Sequence, residues 1–221
     1  MAKLVKLKAG DIFSRRISEN NYIFGRIIFV TKEQYIKKVA EKERKSGLDF
    51  FTNCILIETY IGVFSSLDKV DCNKIAVKGN FVSKDMFKRE DVKILENKSV
   101  NPQNVTFPEY IRAEGMKYYF SVGELQFPIE ITSKEREEMH VYPSYGSGYW
   151  EMVATLVFSG KEELVEDKKH IQEKSFYFKN EDLHFKPGYR NKIYKMLKEN
   201  SNQSYYNFAL KHGYDLKRLY E

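Results

Sequence analysis

The side chains that most often carry metal or acid–base chemistry are few in this sequence and lie far apart. The four histidines are His140, His170, His184 and His212. None has a second His or Cys at the spacing that helical or knuckle metal sites use. Cys54 and Cys72 are also widely separated, and we interpret them as reduced packing residues. The sequence therefore predicts no catalytic residue, no metal site and no cofactor.

A hydrolytic nucleophile would need a serine or cysteine beside a base, and the nearest pattern is Gly146, Ser147 and Gly148. These residues do not complete the five-residue nucleophile elbow. Paired carboxylates occur at residues 137–138, 162–163 and 166–167, without the apolar setting that raises a catalytic pKa. An enzyme with an unfamiliar site would be favoured only if the fold gathered Tyr, His and Glu side chains in one pocket.

Aromatic side chains around a glycine-rich segment are the better candidates for recognition. Residues 142–150 contain the single tryptophan and three tyrosines, namely Tyr142, Tyr145, Tyr149 and Trp150. When they are exposed, such side chains make large anchoring contacts with a partner. The alternative is that Tyr149 and Trp150 simply lead into the next strand and pack into the core.

Charge is distributed unevenly along the chain. Residues 1–134 contain 23 basic and 17 acidic side chains, residues 135–185 contain 6 and 11, and residues 186–221 contain 8 and 3. An acidic section between two basic ones would present a negative face to a basic partner. Its candidate contacts are Glu162, Glu163, Glu166 and Asp167. The net charge of +6 is only weak evidence for nucleic-acid binding.

Short β segments dominate the first 131 residues. Residues 5–13, 22–30, 49–64, 74–82, 92–95, 105–112, 117–122 and 125–131 have strand-like composition, with 49–64 at the sheet centre and 105–122 as a hairpin. Thr31 and Gln34 match a capping box, which predicts one early helix of about four turns ending at Gly47. We therefore predict a barrel-like or strongly bent antiparallel sheet.

The last 90 or so residues are predicted to form an α+β extension. A second capping box, Thr132 with Glu135, begins a short helix that ends near His140. Strands are predicted at residues 152–158 and 175–178, followed by a C-terminal helical tail with helices beginning at Pro187 and Ser201. The whole chain is thus α+β, with predicted domains 1–131 and 132–221, and packing as a single domain is the alternative.

No segment has the continuous apolar stretch of a signal peptide or of a bilayer-spanning helix. We therefore expect a cytoplasmic protein with no membrane partner.

Two short motifs near the N-terminus resemble a known family. The matching residues are Gly10, Asp11, Ile12 and Phe13, followed by Tyr22, Phe24, Gly25, Arg26 and Ile27. They resemble the opening of immunity protein family 26 of bacterial polymorphic toxin systems, and the strand-rich composition to residue 131 is compatible with it. The resemblance implies a protein that binds a cognate toxin, a nuclease among the candidates, and blocks its active site or substrate surface. A small-barrel nucleic-acid-binding protein is the alternative function.

Overall fold

Two antiparallel sheets organise the chain, which a computed structural model describes over residues 6–44, 47–169, 171 and 178–221. The larger sheet has the strand order β4-β3-β2-β1-β5. Its strands are β1 (Asp11–Ser18), β2 (Asn21–Val30), β3 (Cys54–Tyr60), β4 (Ile75–Ser83) and β5 (Val92–Asn97). The smaller sheet joins β6 (Glu109–Glu114), β7 (Lys117–Val122) and β8 (Leu125–Ile129) in sequence order. The predicted α+β class is confirmed, and within the described residues the larger sheet is open rather than a closed barrel.

Apolar, β-branched composition places β2 and β3 inside the larger sheet. All seven residues of β3 are buried, so the core of the predicted 49–64 segment is an interior strand, but the central strand is β2 and residues 49–51 belong to a 3-10 turn. Gly25 in β2 pairs with Phe13 in β1. A Cβ atom on Gly25 would lie 2.5 Å from the Glu58 carbonyl oxygen and 2.5 Å from the Phe13 ring, so a side chain would not fit there.

Four helices are described in full, all in the second half of the chain: α1 (Ser133–Met139), α2 (Tyr149–Phe158), α3 (Pro187–Met196) and α4 (Tyr205–Lys211). The capping box of α1 is present as predicted. Pro187 occupies the first turn of α3, also as predicted. The start of α4 was predicted wrongly, because Ser204 rather than Ser201 accepts the capping hydrogen bond. No helix among the described residues has the length and apolar character needed to span a membrane.

The predicted strand at residues 152–158 is wrong, because this segment belongs to α2. Its apolar and β-branched composition is typical of a strand, yet α2 packs on the larger sheet and buries most of its circumference. Of the predicted strand 175–178, residues 175–177 lie outside the described part of the chain, and Phe178 is helical.

The predicted four-turn helix after Thr31 is also wrong. One π-helical turn, Lys32–Ile36, is followed by a separate 3-10 turn, Glu41–Glu43. Thr31 makes no capping hydrogen bond with its side chain. The Gln34 amide instead accepts from Val30 N at 2.7 Å and donates to the Leu219 carbonyl at 3.2 Å. The oxygen that a capping box would have used is thus taken by the Val30 amide, and the nitrogen of the same side chain contacts the C-terminal tail.

One large apolar cluster unites side chains from both sides of residue 131. It contains Phe29 and Leu56 of the larger sheet, Phe120 of the smaller sheet, and Phe208 and Leu216 of the C-terminal tail. The tail also bonds to the sheet backbone, since the Tyr220 hydroxyl donates to the Ile28 carbonyl at 2.8 Å. The two predicted domains therefore share a core.

Candidate functional site

The loop at residues 142–148 is fixed to the edge of the larger sheet. The Ser83 amide donates to the Gly146 carbonyl at 2.8 Å, and the Gly146 amide donates to the Phe81 carbonyl at 3.3 Å. Buried Arg15 donates from Nη1 to the Gly148 carbonyl at 2.7 Å. Backbone hydrogen bonds therefore hold a loop whose glycine content alone would indicate flexibility.

Tyr145 of this loop forms an exposed aromatic pair with Phe50 of the 3-10 turn Gly47–Phe51, and we call this pair the aromatic patch. Phe50 is 50% exposed, Tyr145 is 46% exposed, and their ring centroids lie 5.8 Å apart. Beneath them, buried Phe51 contacts both rings and stacks on Phe81 with centroids 3.9 Å apart. The patch is therefore an apolar surface on a packed aromatic base.

The other aromatic candidates are half-buried. Tyr149 and Trp150 begin α2 and pack against separate buried clusters, so the alternative that they face the core describes them better. Tyr142 lies beside the Arg136 guanidinium, 4.6 Å from the ring centroid. Of the four predicted aromatic contacts, Tyr145 is thus the one with a largely accessible ring.

The acidic candidates follow the other end of α2. Glu163, Glu166 and Asp167 are exposed, and Glu162 is half-buried in the turn Glu162–Leu164. Because α2 has ten residues, about 15 Å of helix separates this segment from the aromatic loop. The two predicted groups therefore lie at opposite ends of one helix, not side by side.

Two buried carboxyl groups, which the sequence did not reveal, lie directly under the loop. Asn80 Nδ2 lies 2.7 Å from Glu151 Oε1 and 3.5 Å from Glu181 Oε2. Burial raises the pKa of Glu151 to about 7. Burial, and after it the charge of Glu151, raises the pKa of Glu181 to about 7. A hydrogen bond from Ser144 lowers the pKa of Glu181 but does not cancel this rise. A Cβ atom on Gly146 would lie 3.6 Å from Glu151 Oε1, so the pair touches the loop from below.

A cleft of about 660 Å³ opens between the C-terminal tail and the sheets. Its lining includes Glu109, Asp182, His184, Arg190 and Tyr205. The fold thus gathers Tyr, His and Glu side chains in one pocket, which is the arrangement that would favour an enzyme. Among the described residues, no group of three or more His, Cys, Asp or Glu side chains is placed to hold a metal ion.

Ion pairs engage four of the charged groups in this cleft, namely Glu109, Asp182, His184 and Arg190. Arg190 donates to the buried Glu109 carboxylate from Nε at 2.7 Å and from Nη2 at 2.8 Å. Tyr194 adds a hydrogen bond to Glu109 at 2.8 Å. His184 Nδ1 lies 2.7 Å from Asp182 Oδ1, and its Nε2 lies 3.3 Å from Glu109 Oε1.

Burial opposes the positive charge of His184, but the hydrogen bond and charge of Asp182, with the charge of Glu109, raise its pKa above the ordinary value. Because both ring nitrogens face carboxylates, these contacts favour the protonated imidazole over the neutral one. A general base needs a ring nitrogen directed at its substrate. In His184 one ring nitrogen faces Asp182 and the other faces Glu109.

The two motifs that carry the family resemblance lie next to each other in the structure. Ile12 pairs with Arg26, and Phe13 pairs with Gly25, across β1 and β2. The resemblance itself is a prediction from the residues. No family model, no curated protein and no solved structure shows a significant match to this chain.

Proposed function

We propose that this chain is an immunity protein that binds a cognate bacterial toxin in the cytoplasm and neutralises it by contact alone. The aromatic patch is the observation that carries the proposal. Phe50 and Tyr145 are each about half exposed, and they offer a surface of the kind that anchors protein interfaces. The resemblance of residues 7–30 to immunity protein family 26 supplies the class of partner.

The rigidity of the patch supports its use as an anchor. Binding loses affinity when loops and side chains must be ordered on contact. Here the Gly146 backbone is bonded to β4 on both its amide and carbonyl sides, and Phe51 supports both rings from below. The patch can therefore meet a partner without first becoming ordered.

The acidic segment supports a basic toxin, such as a nuclease. Glu163, Glu166 and Asp167 are exposed beyond the C-terminal end of α2, opposite to the end that carries the loop. Charges at the rim of an interface mainly speed the encounter and select partners of opposite charge. We assign these residues to steering and the aromatic patch to affinity.

The pairing within the cleft supports a non-catalytic mode of action. The cleft brings together the residue types of an active site, but Glu109 is engaged by Arg190 and Tyr194, and His184 by Asp182 and Glu109. Neutralisation by surface contact requires none of these groups to transfer a proton.

Co-expression with the product of the neighbouring toxin gene tests the proposal. We expect the wild-type chain to co-purify with that product and to rescue cells that produce it. Phe50→Ala and Tyr145→Ala should weaken both effects. Phe158→Ala is a matched control, because Phe158 is also 50% exposed but lies at the opposite end of α2.

Failure of the wild-type chain both to co-purify and to rescue would reject the proposal. Salt-dependent retention on single-stranded nucleic acid, without toxin binding, would favour the nucleic-acid-binding alternative instead.

A further inference from the structure

Two buried carboxyl groups share one amide donor beneath the loop that carries Tyr145. Glu151 comes from the first turn of α2, Glu181 from the segment before α3, and Asn80 from β4. Asn80 Nδ2 is within hydrogen-bonding distance of one oxygen of each carboxyl. Within the described chain, the other oxygens, Glu151 Oε2 and Glu181 Oε1, are buried without a hydrogen-bond partner. Two carboxylates in this setting lack the donors that two full charges require.

Among the described residues, no cation around the pair is dedicated to it. Arg15 of β1 attracts Glu151, but its guanidinium is bonded to Asp91 at 3.1 Å and to the Gly148 carbonyl at 2.7 Å. Asp182 adds a further negative charge near Glu181. Asn80 from β4 and Ser144 from the loop contribute neutral hydrogen bonds. Two ionised carboxylates would therefore repel each other with little compensation.

We propose that Glu151 and Glu181 hold one shared proton and that this proton fixes the loop, and with it the aromatic patch, in the binding conformation. In the protonated pair one carboxyl is neutral, the other accepts from Asn80, and the two groups together carry a single negative charge. When the proton leaves for solvent, two negative charges face each other beneath the loop. The role in toxin binding rests on the proposed function, whereas the shared proton does not.

The direction of the pH effect follows from the raised pKa values. The ordinary pKa of each carboxyl is 4.5, and in the folded state both are raised to about 7, so the proton that the pair shares is taken up on folding between these values. The stabilisation is complete below about pH 4.5 and is lost as the pH rises through about 7. His184, whose pKa is also raised, contributes in the same direction, so variants of the pair are needed to separate the two effects.

Infrared difference spectroscopy on the full chain tests the shared proton, because a protonated carboxyl has its own C=O stretching band. We expect a band that disappears with a midpoint near pH 7. In Glu151→Gln and in Glu181→Gln, the remaining carboxyl has a neutral neighbour, so the midpoint should fall by about one unit. Glu166→Gln, at an exposed acid beyond the far end of α2, should leave the midpoint unchanged.

Absence of such a band at pH 6, or a midpoint that neither Gln variant moves, would overturn the shared proton. Trp150 provides a second readout, because the single tryptophan of the chain directly precedes Glu151. In the wild-type chain, Trp150 fluorescence should change with pH at the same midpoint as the infrared band. In Glu151→Gln this pH-dependent change should be absent.

Amide hydrogen exchange of residues 142–148 tests the effect on the loop without any toxin. Comparing chains at the same pH removes the intrinsic pH dependence of exchange. At pH 8 we expect the wild-type loop to exchange about tenfold faster than the Glu181→Gln loop, and at pH 5 the two should be equal. Equal exchange at pH 8 would overturn the control of the loop.

Toxin affinity across the same pH range completes the test. We expect the affinity of the wild-type chain for the toxin to fall about tenfold between pH 6 and pH 8. In Glu181→Gln this fall should be absent. Equal pH dependence in both chains would overturn the regulation of binding. A chain that binds no toxin at any pH would instead reject the proposed function and leave the spectroscopic result standing.

Discussion

Glu109 shows how a single buried carboxylate depends on its partners. Arg190 donates two hydrogen bonds to the Glu109 carboxylate, and the Glu109 side chain is only 3% exposed. Arg190→Met would leave the negative charge buried without its main counterion, so we expect a loss of about 3 kcal/mol in the free energy of unfolding. Urea denaturation at pH 7 measures this loss.

Lys37→Met is the control for that measurement, because Lys37 pairs with Glu33 on the surface at 2.7 Å. Removing this exposed pair should cost less than about 1 kcal/mol. Equal losses in the two variants would contradict the structural role that we assign to Arg190.

Gly25 is a position where the close approach of neighbouring atoms requires glycine. Gly25→Ala would place its Cβ 2.5 Å from the Glu58 carbonyl oxygen, and a backbone atom cannot easily move away. We expect a loss of about 1–3 kcal/mol, measured by urea denaturation. Gly188→Ala in α3 is the opposite case, since no atom lies within 4 Å, and it should be neutral or stabilising by about 0.5–1 kcal/mol. A neutral Gly25→Ala would show that β1 and β2 pack less tightly than described.

At the scale of elements, α1 depends on its capping box. Thr132 Oγ1 accepts from the Glu135 amide at 3.1 Å, and the Glu135 carboxylate accepts from the Thr132 amide at 2.7 Å. Thr132→Ala should lower the free energy of unfolding by about 1 kcal/mol, measured by thermal or urea denaturation. Lys134→Ala, at an exposed residue of the first turn of α1, should have a much smaller effect. Equal effects would indicate that the cap contributes nothing to the folded state.

Elements encoded by neighbouring residues were predicted well from the sequence. The β6–β7 hairpin follows from two strand-like runs around Gly115, whose φ of +60° suits glycine. The α1 cap follows from residues three apart. By contrast, the apolar β-branched run at residues 152–158 is compatible with a strand or a buried helix, and packing on the larger sheet selects the helix. The early helix was overpredicted because Gln34 Oε1 accepts from the Val30 amide instead of capping at Thr31, while its Nε2 contacts Leu219, 185 residues away.

The candidate site could be predicted only in part. Tyr145 was found because residues 142–150 join the single tryptophan to three tyrosines across a glycine-containing loop, but its neighbour Phe50 comes from a distant 3-10 turn, Gly47–Phe51. Glu151 and Glu181 meet through Asn80, which is 71 and 101 residues away from them in the sequence. No local pattern marks such a contact, because only the tertiary fold makes it.

At the scale of the whole molecule, the C-terminal tail and the larger sheet form one core. Leu216 is fully buried in the cluster that contains Phe29 and Leu56. Leu216→Ala should therefore lower the free energy of unfolding by about 2–5 kcal/mol while leaving a single transition. Urea denaturation followed by circular dichroism and by Trp150 fluorescence measures both quantities. Two separate transitions would show that residues 132–221 unfold as an independent domain.

Binding of the toxin through the aromatic patch is the central claim, and calorimetric titration of the purified neighbouring toxin with this chain tests it most directly. We expect one chain per toxin, at least a tenfold weaker Kd for Phe50→Ala, and an unchanged Kd for Phe158→Ala. Unchanged affinity in a folded Phe50→Ala/Tyr145→Ala variant, or neutralisation by far less than one equivalent of the chain, would contradict it.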